Sequence, residues 1–226
     1  MKVLGIETST YVGSVSLLDG SDVVGEFLIN VGPRHSEKLL PMIEEMLKLL
    51  EVDKRKIGGI SVTIGPGFFT ALRVGIATAK GLAYALGIPI VGVCSLEVLA
   101  SNLSFCSNVV CSVIDAKRGE FYASFVRFED GEIARRTDTV VDTPVGLMKR
   151  VTGKTVFVGD TDGLKELGVN DLVEFVPLHY NIPRASVCAR IGARKLELGL
   201  SDEVASLAPI YARKAEAEII KEGVLG

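Results

Sequence analysis

The sequence predicts an α/β protein of two lobes, each opening with a three-strand meander and continuing with helices that alternate with further strands. Three observations carry this reading. Three short β-type runs, "KVLGIETS", "VGSVSLLD" and "DVVGEFLI", precede any helical pattern. The same order starts again at residue 108. At 226 residues, with 48% hydrophobic and 23% charged side chains, the chain buries a substantial core as one large or two small domains.

The first three runs are separated by turn residues at Thr10-Tyr11 and Gly20-Ser21, which makes an antiparallel meander. An amphipathic helix follows at about 36–50, with Ser36 as its N-cap and Pro41 predicting an irregular first turn. Next come a buried strand "IGGISVTIG", a glycine turn, a long helix over 69–86 and the strand "PIVGVCS". In the second half "NVVCSVIDA", "GEFYASFVRF" and "EIARRTDTVV" form the second meander, followed by a helix near 143–151 and the strand "KTVFVGD". Lobes at 1–95 and 108–226 are joined by 96–107, and the C-terminal helix is free to pack back on the first lobe. Three strands before the first helix, twice over, is the pattern of the two-lobed actin-like fold of sugar kinases, Hsp70 and actin.

Composition excludes several functions. A formal net charge of -3 leaves no whole-chain basic field to draw the protein onto nucleic acid. Cys94, Cys106, Cys111 and Cys188 contain no CxxC pair and only His35 and His179 could join them, so zinc-ligand spacing is missing and the cysteines read as buried thiols of a reducing compartment. "MKVLGIETST" turns polar too early for a signal peptide, and the apolar stretch 69–93 is interrupted by Arg73 and Lys80. A soluble cytoplasmic protein is expected.

The turn "GPGFFTALR" at 65–73 resembles a phosphate loop only superficially. A Walker A loop needs GxxxxGK[ST], and Thr70 and Ala71 stand where its second glycine and lysine would be. A dinucleotide fingerprint also fails at Thr70. A tight strand-to-helix turn remains, with the N–H groups that any helix start offers an anion.

In the helix after it, Ala71, Gly75, Ala79 and Ala83 fall in one i+4 row, with Leu72, Ile76 and Leu86 beside it; Arg73, Lys80 and Tyr84 form a narrow polar stripe. So wide an apolar arc means burial on more than one side, against the chain's own sheet or also against another subunit. In the first helix Leu39, Ile43, Met46, Leu47 and Leu50 make an apolar face that Met42 and Leu49 widen. Core packing and an adaptable contact surface both account for it.

Two hairpins occupy the places of phosphate hairpins. At "IETST", Glu7 could order a metal-bound water and Thr8, Ser9 and Thr10 could donate to phosphate, yet no glycine permits close approach. At "DAKRGE", Asp115 beside Lys117, Arg118 and Glu120 reads as a salt-bridge cluster. Both arrangements argue against autonomous ATP hydrolysis and leave weak or shared nucleotide binding open. Ser9 or Ser36 with His35 could serve a peptidase, but no G-x-S-x-G elbow accompanies them, and His35 reads as a capping or surface residue. Arg34, His35 and Lys38, and Arg184, Arg190, Arg194 and Lys195, are basic clusters that could touch nucleic-acid phosphates or simply be solvated faces. The tail "ARKAEAEIIKEG" is helical and charged in pattern, to be ordered by a partner.

"LGIETST", "RHSEKLLP", "GPGFFTALRVGIATAKGLA", "CSLEVLA", "DAKRGEFY" and "PIYARKAEA", in this order over nearly the whole chain, resemble the bacterial TsaB (YeaZ) family, subunits of the machinery that makes N6-threonylcarbamoyladenosine in tRNA. The family's turn reads GPGSFTGLR; here Phe68 replaces its serine and Ala71 its glycine, which weakens any phosphate-loop reading. The resemblance implies an actin-like, non-catalytic chain that pairs with a larger related subunit, TsaD, while the ATPase TsaE completes the assembly. TsaD would transfer threonylcarbamoyl from its adenylate to the adenosine next to the anticodon. TsaD's pair of metal-binding histidines has no match here, so no metal site is expected. The resemblance further implies that both helices bundle with a partner through Leu39, Met42, Ile43, Met46, Leu49, Phe68, Phe69, Leu72, Arg73, Gly75, Ile76, Ala79, Lys80 and Ala83. The isolated chain would form a homodimer and exchange it for TsaD, meeting tRNA only through the complex. No cofactor is expected to bind tightly, and ATP or ADP only at a shared or vestigial site of Glu7, Thr8, Ser9 and Asp115. The competing classes are a stand-alone ATPase or peptidase-like enzyme and a tRNA-binding module.

Overall fold

A computed structural model describes residues 1–168 and 170–210, and the tail expected to be helical lies outside the described residues. Two sheets repeat one strand order. The first runs β3-β2-β1-β4-β5, from β1 (Lys2–Glu7), β2 (Val12–Asp19), β3 (Asp22–Asn30), β4 (Gly59–Gly65) and β5 (Ile90–Cys94). The second runs β11-β10-β6-β7-β8, from β6 (Val109–Lys117), β7 (Glu120–Glu129), β8 (Glu132–Arg136), β10 (Thr155–Gly159) and β11 (Val173–Phe175). In each, the first three strands are antiparallel and the next two join in parallel. The expected repetition is therefore present, on the actin-like plan.

One expected strand divides. "EIARRTDTVV" gives β8 and a separate β9 (Val140–Asp142), both paired with β7. Thr137 causes the break: its Oγ1 accepts the N–H of Phe125 at 3.0 Å, taking a donor that a continuous ladder would use.

Helices α1 (His35–Leu49) and α2 (Phe69–Leu86) cover one face of the first sheet, where Leu4, Ile6, Ile60 and Val62 meet Met46 and Ile76. Helix α1 begins at His35 with Arg34 at its N-cap and no side-chain cap, so Ser36 does not cap it. Pro41 sits inside an unbroken helix on its exposed side, and in the first turn the Arg34 carbonyl accepts from both Glu37 and Lys38. The opposite face carries α6 (Ala185–Glu197), whose Ala185, Ala189, Gly192 and Ala193 let it lie close to β1 and β4. Glu26 of β3 ties α6 down, accepting from Arg184 Nε at 3.0 Å and from the N–H of Ser186 at 2.9 Å.

Most of a buried helix α3 (Ser95–Ser101) falls within the expected connection 96–107, and its Leu96, Leu99 and Ala100 join the core over β6 and β10. Helices α4 (Pro144–Lys149) and α5 (Asp162–Lys165) close the other face through Leu147 and Leu164. Beyond α6 a strap returns across the first sheet. Asp202 bridges Ile90 and accepts the N–H of Gly92 at 2.7 Å, Leu207 enters the core, and the N–H of Ile210 reaches the carbonyl of Ile64 at 2.7 Å. All four cysteines are free; Cys111 and Cys188 are buried as expected, whereas Cys94 and Cys106 are half-buried. No described helix is long and apolar enough to cross a membrane.

Candidate functional site

The turn at 65–68 packs against the turn at 7–10. The N–H of Phe68 donates to the carbonyl of Ser9 at 2.7 Å, and a β-carbon on Gly67 would stand 2.3 Å from that oxygen. Gly67 thus serves a backbone-to-backbone contact, and a donor that a phosphate would need is already taken. Phe68 then stacks on Tyr11, ring centroids 5.0 Å apart.

These two turns form one wall of a cleft of about 380 Å³ whose other wall is the second hairpin, with Asp115, Lys117 and Asp160. Asp115 reaches the cleft and Ser9 lines it while itself buried; Glu7 and Thr8 are buried behind it. Oε1 of Glu7 accepts the Ser9 N–H at 2.5 Å and its hydroxyl at 2.6 Å, while Oε2 is buried without a partner. Burial, against the lowering effect of the Ser9 bonds, pushes the Glu7 carboxyl up to about 7. Thr8 faces α2. Glu7 and Thr8 are thus buried in the core behind the cleft wall, with Oε2 of Glu7 and Oγ1 of Thr8 unpartnered there. Of the expected salt-bridge cluster, the Asp115–Lys117 pair is present: one oxygen of Asp115 accepts the Lys117 N–H and the other the Lys117 ammonium, both at 2.7 Å. Asp160 accepts the N–H of Asp115 at 2.8 Å, and loss of hydration in the cleft, with Asp115 beside it, raises its pKa.

The helical residues divide sharply. Leu39, Met42, Ile43 and Met46 of α1, and Leu72, Gly75, Ile76, Ala79 and Ala83 of α2, are buried in the chain's own core. This corrects the expectation that they hold another subunit. The small-residue row does admit a close neighbour, but that neighbour is internal: a β-carbon on Gly75 would lie 2.2 Å from Oγ1 of Thr8. Leu49 (65% exposed), Phe69 (47%) and Arg73 face outward, with Phe68 and Lys80 half-buried. Sequence reasoning missed Leu40 (45%) and Tyr84 (84%) as further exposed apolar side chains of α1 and α2, and Ala77 and Gly81 of α2 are exposed as well.

Other expectations change as well. His35 is buried against β2, its ring nitrogens near the carbonyls of Thr10 and Val12 without ordinary hydrogen-bond geometry; burial lowers its pKa and it is neither a cap nor a surface residue. The Ser9 hydroxyl is committed to Glu7, so no Ser9–His35 relay exists. Arg184 is paired with Glu26 and Arg194 with Glu132, and Lys195 donates to the carbonyl of Gly92 at 3.3 Å. Arg184 and Arg194 stay about half exposed in these pairs, at the surface. Among the described residues no group of His, Cys, Asp or Glu could hold a metal ion. Lys117 and Asp160 are cleft residues beyond the expected set; the "VGD" at the end of β10 was the available signal for Asp160.

The family model described as TsaD: tRNA N6-adenosine threonylcarbamoyltransferase matches residues 30–221. The tRNA threonylcarbamoyladenosine biosynthesis protein TsaB of Bacillus subtilis is 29% identical, over 96% of this chain and 96% of its own. YeaZ from Pseudomonas aeruginosa superposes with a TM-score of 0.81 at 26% identity, covering 93% of this chain and 99% of that one. The fold extends to a ROK hexokinase from Thermus thermophilus, TM-score 0.50 at 12% identity, covering 87% of this chain and 100% of that one.

Proposed function

Because the chain belongs to the TsaD family of tRNA N6-adenosine threonylcarbamoyltransferases, on its TsaB (YeaZ) branch, we propose that it serves tRNA threonylcarbamoyladenosine biosynthesis as the non-catalytic partner of a TsaD subunit. TsaD transfers the threonylcarbamoyl group to the adenosine next to the anticodon, TsaE completes the assembly, and tRNA meets this chain only through the complex, in the cytoplasm. The observation that carries the reading is the outward face of α1 and α2. Apolar side chains stand exposed on both helices, Leu40 and Leu49 on α1 and Phe69 and Tyr84 on α2, and the exposed small residues Ala77 and Gly81 of α2 let a partner's helix approach closely. A homodimer of the isolated chain uses the same face and yields it to TsaD. The non-catalytic reading is supported at the cleft by the Lys117 ammonium, which Asp115 holds, and by the Phe68 N–H, which Ser9 takes; on this reading nucleotide binds only where a partner completes the site.

The test substitutes the exposed positions. Leu49→Glu and Tyr84→Glu should each weaken TsaD binding by about 2 kcal/mol or more, roughly 30-fold. Thermal stability should stay near that of the unsubstituted chain. Formation of modified tRNA by the reconstituted subunits should fall with binding. Undiminished binding in both variants would remove the helical face from consideration, and modification by TsaD and TsaE without this chain would remove the proposed role.

A further inference from the structure

The strap that crosses the first sheet changes what lies beside α2. Lys80, expected at the partner interface, instead donates its ammonium to the carbonyls of Ala205 at 2.8 Å and Leu207 at 3.1 Å. Leu207 is buried, and the Ile210 N–H is fixed to Ile64, so the backbone between them is held at both ends. Ala208 and Ile210 stay exposed. Between strap and helix runs a groove of about 490 Å³, with Arg73, Ala77 and Lys80 on one side and Ala208 and Pro209 on the other.

The groove's chemistry selects its occupant. None of the residues lining it is acidic, and α2 from Phe69 to Leu86 contains no acidic residue at all. Its two cations differ. Lys80 is committed to the strap, whereas the Arg73 guanidinium lies over the Phe69 ring, 5.3 Å from its centroid, and among the described residues no carboxylate pairs with it. The flanking Ala77, Ala208 and Pro209 are small or rigid and lose little entropy when covered. The groove is continuous with the exposed face of α2, so a subunit seated on that face also reaches the strap.

We infer that residues 205–210 form a third element of the partner surface, and that the groove between this strap and α2 receives an acidic segment of the TsaD subunit, with Arg73 as the charged anchor and Lys80 positioning the strap. This rests on the helical-face reading of α1 and α2.

The experiment measures binding of purified TsaD to the full-length chain carrying Ala208→Glu, Ala208→Lys, Arg73→Glu or Lys80→Met, with Leu49→Glu as the helical-face control. Ala208→Glu and Arg73→Glu should each weaken binding about tenfold or more, Ala208→Lys should not weaken it, and Lys80→Met should weaken it by loosening the strap. Unchanged circular dichroism and melting temperature in the Ala208 variants establish that the fold is intact. Binding unaffected by Ala208→Glu, or weakened equally by Ala208→Lys, overturns the inference. If Leu49→Glu weakens binding while the strap variants do not, only this inference fails; if Leu49→Glu is also silent, the helical-face reading fails with it.

Discussion

Gly75 of α2 leaves no room for a β-carbon beside Oγ1 of Thr8, the two being 2.2 Å apart in that geometry. The contact locks the first turn of the chain against the helix that carries the proposed partner face. Gly75→Ala should therefore destabilise the fold, by about 1–3 kcal/mol from overpacking, partly offset by the roughly 1 kcal/mol that alanine adds to helix propensity. A calorimetric melting curve checks this, and an unchanged or raised Tm would contradict the packing described. Gly75→Glu should give an unfolded chain and not a folded chain defective only in association.

Glu7 sets a pH dependence. Unfolded, its carboxyl ionises near the ordinary 4.5; folded, it holds its proton to about 7 because burial disfavours the charge. Between those values the unfolded state gives up its proton first. This group's contribution to stability is thus greatest below pH 4.5 and is lost as pH rises through 7, a total of about 3 kcal/mol. Gln at this position accepts the same Ser9 bonds without titrating. Urea melts of the chain and of Glu7→Gln at pH 5, 6, 7 and 8 should show the variant gaining relative stability with pH. A constant difference would mean that Glu7 is ionised throughout.

The strand order was legible because each strand is a short apolar run punctuated by turn residues, and the runs recur in the same order. Which face of α2 turns inward was not, since a row of Ala and Gly suits the chain's own strand as well as a foreign helix; only Thr8, brought beside it by the fold, decides. The strap was invisible for a different reason. It has no periodicity, and what holds it is a lysine on a distant helix donating to backbone carbonyls that every sequence possesses. The cleft was half legible: "DAKRGE" suggested the ion pair of Asp115 with Lys117, but the burial of Glu7 depends on the first sheet and its helices closing around it.

Glu26 joins β3 to α6. Its carboxylate accepts from Arg184 and from the Ser186 N–H, and its side chain is only 7% exposed. Glu26→Ala leaves the buried N–H of Ser186 without an acceptor, which should cost about 1–3 kcal/mol. Glu26→Gln should lose less, because its amide oxygen still accepts. Hydrogen exchange at Ser186 should speed up in the alanine variant; exchange as slow as in the unsubstituted chain would show that the bond does not hold α6.

The cleft should not hold nucleotide in the isolated chain. A phosphate entering it meets Asp115 and Asp160, finds the Lys117 ammonium already bound, and finds the Phe68 N–H donating to Ser9. A ligand at one hundred times its Kd stabilises by about 2.7 kcal/mol. For a chain of this size that corresponds to a rise of roughly 5–11 °C in Tm. Magnesium ATP at millimolar concentration should leave the Tm unchanged and release no phosphate. Asp115→Asn weakens the hold on Lys117 but leaves Phe68 bound and Tyr11 stacked on it, so it too should show no shift. A rise of several degrees that disappears in Lys117→Ala would establish a working phosphate site and return the chain to the ATPase class.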